Sequence, residues 1–188
     1  YCRVERLSID DFHEVERLVA RGQREGLLKP RSSGEIAQLL LGGFGAWIGR
    51  EHLAGMGALH TAPYLADGAG EIAGLYTMTR FKGERIGRRL VRKLVAEAHA
   101  MHLKYVFAVT ANEEAARFFR GEGFRAVSPR KVPAANNAVR AAAGEEFVED
   151  DGEGVEVGLG RGVLAADLFG GGVFRGHEAG AGASGEDG

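Results

Sequence analysis

The sequence predicts a mixed α/β (α+β) fold, in which one central sheet is flanked by helices and followed by an acidic, glycine-rich tail. Apolar residues over positions 1–135 alternate between strand-like and helical spacing, in the order β-α-α-β-β-β-α-β-α-β. One segment, 86–101, has the strongest helical pattern, with an apolar stripe on one face and arginines on the other. The composition then changes sharply. These observations indicate one folded domain with a tail of different character.

Charge separates the two parts of the chain. Residues 1–135 contain 21 Lys and Arg against 15 Asp and Glu, whereas residues 136–188 contain 3 against 11 and hold 14 of the 30 glycines. A basic domain suits an anionic ligand, and a glycine-rich acidic segment has few apolar side chains to offset the entropy of ordering it. We therefore predict a folded domain at 1–135 and a mostly disordered tail at 136–188. At most one short element, around Val155–Phe169, is expected to dock on the domain.

The composition disfavours several classes of protein. The only cysteine, Cys2, allows no intrachain disulfide, which favours a reducing, cytoplasmic location. No apolar run approaches the ~20 residues of a membrane span, so we expect no membrane partner. The histidines show no metal-ligand spacing, and no metal is expected. The arginines of segment 86–101 are explained as a solvated helix face beside an anionic ligand, so no nucleic-acid partner is expected either.

The first half of the domain contains two predicted helices and four predicted strands. Ser8 and Asp11 have the spacing of a capping box and begin a helix that ends near Gly26. Ser32 and Glu35 begin a second, shorter helix in the same way. The predicted strands are 2–7, 46–50, 53–60 and 71–79.

The second half supplies the elements around the strongest helix. A short, apolar strand is predicted at 105–110, after helix 86–101. Asn112 can cap a further helix whose first turn carries two glutamates, where the helix dipole favours them. This helix ends at the glycines of 121–123, before a last extended run at 124–127.

The first chemical signal is the loop 82–87, between a strand and the strongest helix. The backbone amides of such a loop and of the helix N-terminus point outward together, which makes a pyrophosphate site. Lys82, Arg85 and Arg88 add positive charge around it. A tight turn without a ligand is the alternative that the loop alone leaves open.

Two segments resemble the GNAT superfamily of N-acetyltransferases. Residues 81–90 (FKGERIGRRL) are similar to its acetyl-CoA loop, usually written Gln/Arg-x-x-Gly-x-Gly/Ala, except that Arg85 replaces the middle glycine. Residues 112–124 are similar to its helix that ends in Gly-Phe. The resemblance extends from residue 1 to about residue 133 and implies a GNAT-type, mostly antiparallel sheet with acetyl-CoA as the acetyl donor. The cofactor-binding residues that it implies are Tyr76, Thr77, Met78, Lys82, Gly83, Glu84, Arg85, Ile86, Gly87, Arg88 and Asn112.

A narrower resemblance is to the N-acetylglutamate synthase branch of this superfamily, which acts in arginine biosynthesis. Four short segments carry it: 27–32 (LLKPRS), 57–60 (GALH), 70–72 (GEI) and 106–110 (VFAVT). This resemblance implies an amino-acid N-acetyltransferase that moves acetyl from acetyl-CoA to the α-amine of L-glutamate.

Two residues are candidates for the proton transfers of such a reaction. Glu71 matches the position where many GNAT enzymes carry the base that deprotonates the acceptor ammonium, although a surface glutamate at a strand edge is the alternative. Backbone amide near Tyr76–Met78 is the usual GNAT donor to the thioester oxygen. Many GNAT enzymes protonate the departing thiolate with a tyrosine on the last helix, but Phe118 and Phe119 stand there. Thr110, which matches a hydroxyl of the synthase branch, is the substitute candidate, with an ordinary strand threonine as the alternative.

Carboxylates of an acceptor amino acid call for fixed cationic donors, of which a bidentate arginine is the strongest. Arg31 matches the synthase motif, and Pro30 stiffens its loop; a solvated loop arginine is the alternative. His60, at a strand end, is the second substrate-binding candidate, and capping of the strand is its alternative.

Three functional interpretations stay open at this stage. Glu71 and Arg31 favour an active amino-acid N-acetyltransferase with a small-molecule amine acceptor. Phe119 and the lack of a recognisable closing strand in the tail favour a non-catalytic or truncated acetyl-CoA-binding module. A GNAT enzyme with another amine acceptor is the third. Whether the protein forms a homodimer, and whether the tail is native or translated in a shifted frame, also stay open.

Overall fold

The computed structural model describes residues 2–110, 112–133 and 162–169 of the 188-residue chain. The helices are α1 (Phe12–Arg24), α2 (Ser33–Leu41), α3 (Ile86–Ala100) and α4 (Glu113–Gly121). The strands are β1 (Cys2–Arg6), β2 (Gly43–Ile48), β3 (His52–His60), β4 (Ala69–Thr77), β5 (Tyr105–Thr110), β6 (Arg125–Val127) and β7 (Gly162–Asp167). The order of elements up to β6 is the predicted one.

The seven strands form one sheet in the order β1-β2-β3-β4-β5-β7-β6. Neighbouring strands are antiparallel except for β4 and β5, which run parallel because α3 returns the chain between them. This architecture confirms the mixed, mostly antiparallel GNAT fold that the sequence predicts.

Two pairs of helices cover opposite faces of the sheet. The face under α1 and α2 buries Val15, Leu18, Ile36, Leu39, Met56, Ala58 and Tyr76. The face under α3 and α4 buries Ile86, Leu90, Leu94, Val106, Ala108 and Phe119, which includes most of the predicted stripe of segment 86–101. Each large apolar side chain buried in this way contributes about 1.5–3 kcal/mol to stability. Among the helices of the described ranges, none has the length and hydropathy to cross a bilayer.

The helix starts follow the predicted caps. Ser32 Oγ accepts a hydrogen bond from the Glu35 amide at 3.2 Å, and the Glu35 carboxylate accepts one from the Ser32 amide at 2.7 Å. Asn112 Oδ1 accepts from an amide in the first turn of α4 at 2.8 Å. The Asp11 carboxylate accepts from the Ser8 amide at 2.8 Å, and one turn of 3₁₀ helix separates this box from α1. Local side-chain chemistry therefore sets these helix boundaries.

Strand β2 starts three residues before the predicted range 46–50. Two of its first three residues, Gly43 and Gly45, are glycines that leave no room for a side chain. A Cβ at Gly43 would lie 2.6 Å from the Leu39 carbonyl oxygen, and one at Gly45 would lie 2.7 Å from Leu7. Glycines inside a strand weaken its sequence pattern, which hid this part of β2.

The expectation that the tail lacks a closing strand is wrong, because the tail supplies β7 to the sheet. This strand lies between β5 and β6, and all six of its residues pair with β5, from Gly162 opposite Thr110 to Asp167 opposite Tyr105. Its residues Val163, Leu164 and Ala165 are buried. It falls inside the range 155–169 where the sequence predicts one short docking element. Apart from 162–169, the predicted tail lies outside the described residues, so the division into a domain at 1–135 and a tail at 136–188 stays a prediction.

Candidate functional site

The sheet opens between β4 and β5. These strands pair over only three residues, and Glu71 opposite Phe107 is the last pair. Beyond it β4 continues to Thr77 and β5 to Thr110, with no further pairing between their described residues. A register shift in the pairing of β3 with β4 bends β4 at this level. The sheet therefore contains a wedge-shaped opening, and Glu71 lies at its closed end.

The link from β4 to α3 ends in a helix N-terminus without a side-chain cap. Arg85, the residue before α3, has φ 58° and ψ 20°. The amides of Ile86, Gly87 and Arg88 lack helical partners, as in the first turn of any helix, and the helix dipole adds partial positive charge there. Gly83, with φ +97°, allows the tight turn before them. This arrangement suits an anionic group such as a pyrophosphate.

Arg85 stands at the middle glycine position of the GNAT loop and adopts the left-handed conformation that glycine favours. For a residue with a side chain this conformation costs about 1–2 kcal/mol. Its two neighbours differ in exposure, because Glu84 is exposed whereas the Ile86 side chain is buried under α3. Ile86 can therefore offer a ligand only its amide.

Two of the predicted cations beside this loop are paired with carboxylates. Lys82 Nζ lies 2.5 Å from Glu114 Oε1 of α4, and this bond holds the pKa of Glu114 below its ordinary value. Arg88 Nε lies 2.5 Å from the carboxylate of Glu122, whose side chain is only 5% exposed. Arg92 approaches the other Glu122 oxygen at 3.4 Å. The loop is thus basic in composition, but acidic side chains of the α4 region offset part of its charge.

The two phenylalanines of α4 have different surroundings. Phe119 is buried and packs edge-on against Phe124. Phe118 faces the first turn of α3, where a Cβ at Gly87 would lie 3.3 Å from Phe118 Cζ and 3.8 Å from Thr77 Oγ1. The aromatic side chain beside the loop therefore carries no hydroxyl, and the Thr77 hydroxyl also lies near Gly87.

Only one of the predicted backbone donors of β4 faces the opening. The Met78 amide donates to the Ala54 carbonyl oxygen of β3 at 2.9 Å. Bonded and non-bonded pairs alternate along an antiparallel ladder, so the pair of Gly55 with Thr77 is a non-bonded one. The Thr77 amide therefore points away from β3 and into the opening. The Tyr76 amide, like that of Met78, points toward β3.

Glu71 is a buried carboxylate, not a surface residue of a strand edge. It is 8% exposed, and Oε2 accepts a hydrogen bond from the Tyr64 hydroxyl at 2.9 Å. His60 is its cross-strand partner, and His60 Nδ1 lies 4.0 Å from the same oxygen. The His60 side chain is 37% exposed and contacts the Tyr64 ring edge-on. The structure thus brings together two predicted site residues and adds Tyr64 to them.

Thr110 lies on the other face of the sheet from Glu71. Side chains alternate along a strand, and Val106 and Ala108 belong to the core under α3 and α4. Thr110 shares their face and is 3% exposed, and its hydroxyl donates to the Gly162 carbonyl oxygen of β7 at 3.2 Å. Glu71 alternates with Ile72, which also belongs to that core, so Glu71 faces the α1–α2 side.

Arg31 lies in the segment between α1 and α2, the two helices that pack on the face of the sheet to which Glu71 points. Its side chain is half-buried, and its Nε atom is buried without a hydrogen-bond partner in the described residues. The Ser32 amide is the main cause that lowers the pKa of the nearby Glu35, and the charge of Arg31 contributes. A buried guanidinium nitrogen without a partner is costly unless something binds it.

Other predicted residues serve the fold, and two unpredicted ones join the site. The Asn112 side chain caps α4. Tyr64, in the 3₁₀ turn Ala62–Asp67, carries no motif that could have marked it. Glu25, which accepts hydrogen bonds from Tyr76 and Thr79, was missed for the same reason. Across the described part of the chain, no group of three or more His, Cys, Asp or Glu side chains could hold a metal ion.

A comparison with protein families finds a match to the acetyltransferase (GNAT) family over residues 12–124. Among curated proteins, none matches the sequence.

Several solved structures share the fold at low sequence identity. N-acetylglutamate synthase from Neisseria gonorrhoeae, complexed with coenzyme A and N-acetyl-glutamate, has a TM-score of 0.70 and 18% identity. The match covers 89% of this chain but only 35% of that one. Rv2747 from Mycobacterium tuberculosis, in complex with CoA and NLQ, has a TM-score of 0.68, 21% identity and coverages of 88% and 99%. The ribosomal-protein-S18-alanine N-acetyltransferase from Escherichia coli has a TM-score of 0.60, 12% identity and coverages of 89% and 94%.

Proposed function

The chain belongs to the acetyltransferase (GNAT) family, and on this premise we propose that it transfers the acetyl group of acetyl-CoA to the α-amine of an amino acid, with L-glutamate as the favoured acceptor. The observation that carries the proposal is the opening between β4 and β5. The uncapped N-terminus of α3, which suits an anion, lies beside it, and a buried carboxylate lies at its closed end. Two ligands can meet there from opposite faces of the sheet.

The residues of the β4–α3 link fit a pyrophosphate. The amides of Ile86, Gly87 and Arg88 are oriented for it by α3, and Lys82 is exposed enough to leave Glu114 for a phosphate. Acetyl-CoA, when bound, supplies the acetyl group as a thioester. The Thr77 amide, which points into the opening, is the proposed donor to the thioester oxygen.

Glu71 is the proposed base for the acceptor. An ammonium group has to lose a proton before its nitrogen can attack, and the Glu71 carboxylate can accept that proton directly or through a water. The Tyr64 hydroxyl fixes one carboxylate oxygen, so the base has a defined orientation. His60, half-exposed beside it, can pass the proton to solvent or bind an acceptor carboxylate.

Arg31 is the proposed ligand of an acceptor carboxylate. Its buried and unpartnered Nε supports this role, because a bidentate carboxylate would satisfy it. The proposal of L-glutamate as the acceptor, and with it of a role in arginine biosynthesis in the cytoplasm, rests on the four segments that resemble the synthase branch. The gonococcal synthase solved with N-acetyl-glutamate shares the fold.

Thr110 is the proposed proton donor to the departing sulfur. Its hydroxyl lies on the α3–α4 face and would have to rotate away from the Gly162 carbonyl oxygen to serve there. Phe118, which faces the α3 N-terminus without a hydroxyl, supports the second candidate function, acetyl-CoA binding without catalysis.

The experiment is a screen of coenzyme A release by the full chain with L-glutamate, L-glutamine, L-aspartate and polyamines as acceptors. We expect L-glutamate to give the highest kcat/KM. Turnover of polyamines alone would assign a different amine acceptor. Tight coenzyme A binding without turnover of any amine would support the non-catalytic alternative.

A further inference from the structure

The carboxylate of Glu25 connects three elements, and the proposed chemistry does not use it. Glu25 follows α1, and its Oε2 accepts hydrogen bonds from the Tyr76 hydroxyl at 2.7 Å and from the Thr79 hydroxyl at 2.8 Å. Arg21 Nε lies 3.4 Å from the other carboxylate oxygen. One side chain thus connects the end of α1 to the end of β4 and to Thr79 in the link toward α3.

On the α1 side, Glu25 opens the segment that leads to Arg31. The next residue, Gly26, has φ +70°, and the amides of Leu27 and Leu28 donate to the Gly22 carbonyl oxygen at 2.9 and 3.1 Å. The Leu28 side chain covers Gly22 so closely that a Cβ there would lie 2.7 Å from it. The segment after α1 therefore starts from a tightly folded turn.

On the other side, Thr79 opens the path to the cofactor loop. It begins a 3₁₀ turn, Thr79–Phe81, in which the Phe81 amide donates to the Met78 carbonyl oxygen at 2.9 Å. The Lys82 amide donates to the Thr79 carbonyl oxygen at 3.0 Å. The position of Thr79 is thereby transmitted to the loop residues that precede α3.

The protonation states of Glu25 and Tyr76 favour the hydrogen bond between them. The Tyr76 hydroxyl, and then that of Thr79, hold the pKa of Glu25 below its ordinary value, so the carboxylate is ionised at neutral pH. Burial, and then Glu25 itself, raise the pKa of Tyr76, which keeps its hydroxyl protonated as a donor. Hydrogen bonds to an ionised acceptor are shorter and stronger than those between neutral groups.

We propose that Glu25 is a positioning residue that fixes the cofactor loop relative to the acceptor segment, by holding Tyr76 and Thr79 to the end of α1. This inference rests on the proposed function, because it assigns the loop to coenzyme A binding. Glu25 touches none of the amides that would meet the pyrophosphate, so its effect on coenzyme A affinity is indirect.

The test compares Glu25→Ala with Glu25→Gln, which keeps an oxygen acceptor for both hydroxyls, and with the control Glu16→Ala, an exposed carboxylate of α1. Coenzyme A is titrated calorimetrically into each full-length variant, and amide exchange of residues 82–88 is followed without ligand. For Glu25→Ala we expect about tenfold weaker binding and faster exchange of the loop. Glu25→Gln should stay within about threefold of the wild type, and Glu16→Ala should be unchanged.

Unchanged affinity and unchanged loop exchange in Glu25→Ala would overturn the inference. Equal damage by all three substitutions would also overturn it, because general loss of α1 would then explain the result. If Glu25→Ala does not fold, Thr79→Val removes one donor at an exposed position and gives the same comparison. A wild type that does not bind coenzyme A would overturn the proposed function, and the exchange of the ligand-free loop would still decide whether Glu25 positions it.

Discussion

The two sides of the opening between β4 and β5 differ in the groups that they present, which are backbone amides on one side and side chains on the other. On the α3 side, one continuous segment, 82–88, supplies backbone amides and a helix dipole. On the α1–α2 side, the proposed acceptor site consists of side chains: the cross-strand partners Glu71 and His60, and Arg31 of the segment between α1 and α2. A site made of backbone depends on the path of the chain, whereas a site made of side chains depends on single functional groups. Substitutions that distort the backbone should therefore have the larger effect on the first side, and substitutions that remove a functional group should have the larger effect on the second.

The largest effect is expected from removal of the proposed base. Glu71→Gln keeps the size of the side chain and an acceptor for Tyr64, but it cannot accept a proton. We expect turnover at neutral pH to fall about 10²-fold or more, with coenzyme A affinity unchanged, because the proposed pyrophosphate contacts are backbone amides of 82–88. Steady-state rates and calorimetry measure both quantities, and Glu51→Gln in an exposed turn is the control. Normal turnover would show that Glu71 serves only the fold.

The next effect is expected from the acceptor arginine. Arg31→Ala removes a charge-assisted bidentate partner of the acceptor. We expect kcat/KM for L-glutamate to fall by a factor that corresponds to about 2–3 kcal/mol of transition-state free energy, mainly through a higher KM. Lys29→Ala, an exposed cation of the same segment, should change little. If Arg31→Ala and wild type turn over every acidic acceptor equally, the acceptor assignment is wrong.

In segment 82–88, the backbone conformation should affect coenzyme A affinity more than side-chain charge does. Gly83→Val forces a branched side chain into φ +97°, and Gly87→Val pushes one toward Phe118. The double variant should bind coenzyme A more than tenfold more weakly, which corresponds to about 1.4 kcal/mol. Gly34→Val, in an open helix position, is the matched control. An unchanged titration curve for the double variant would remove the pyrophosphate site from this loop.

The smallest effect is expected from a change of side chain within the same loop. Arg85→Gly relieves the left-handed strain but adds freedom to the unfolded chain, so the unfolding free energy should rise by only about 0.5 kcal/mol. Coenzyme A affinity should stay within about threefold, because the amides remain in place. Denaturant unfolding and calorimetry measure these values. A loss of affinity beyond tenfold would show that the Arg85 side chain, not the backbone, holds the anion.

The difference between a site formed by one segment and a site formed by separate side chains also explains which features the sequence could predict. The elements up to β6, the caps at Ser32 and Asn112 and the loop before α3 depend on neighbouring residues, and their patterns are local. The predicted positions of Glu71 and Arg31 came from a family resemblance, and their burial and partners could not be derived from it. Their functional roles stay predictions.

What the sequence could not predict depends on contacts between distant residues. Strand β7 pairs with β5 although about fifty residues separate them, and its short glycine- and alanine-rich pattern resembles the composition around it. Glu25 contacts Tyr76 across 51 residues. Tyr64 is only seven residues from Glu71, but its contact depends on how the turn Ala62–Asp67 folds against β4. Such partners carry no local signature. If the predicted tail is mostly disordered, trypsin should cut quickly at Arg140, Arg161 and Arg175, three residues that lie outside the described ranges.

The proposed acetyl transfer requires that the amides of 82–88 bind coenzyme A at the α3 N-terminus. Amide hydrogen exchange of the full chain, measured with and without saturating coenzyme A, reports on these amides one by one. We expect strong protection of 82–88 and of the Thr77 amide, with little change along β1 and β2. Unchanged exchange of 82–88 at saturation, or protection confined to another surface, would contradict it.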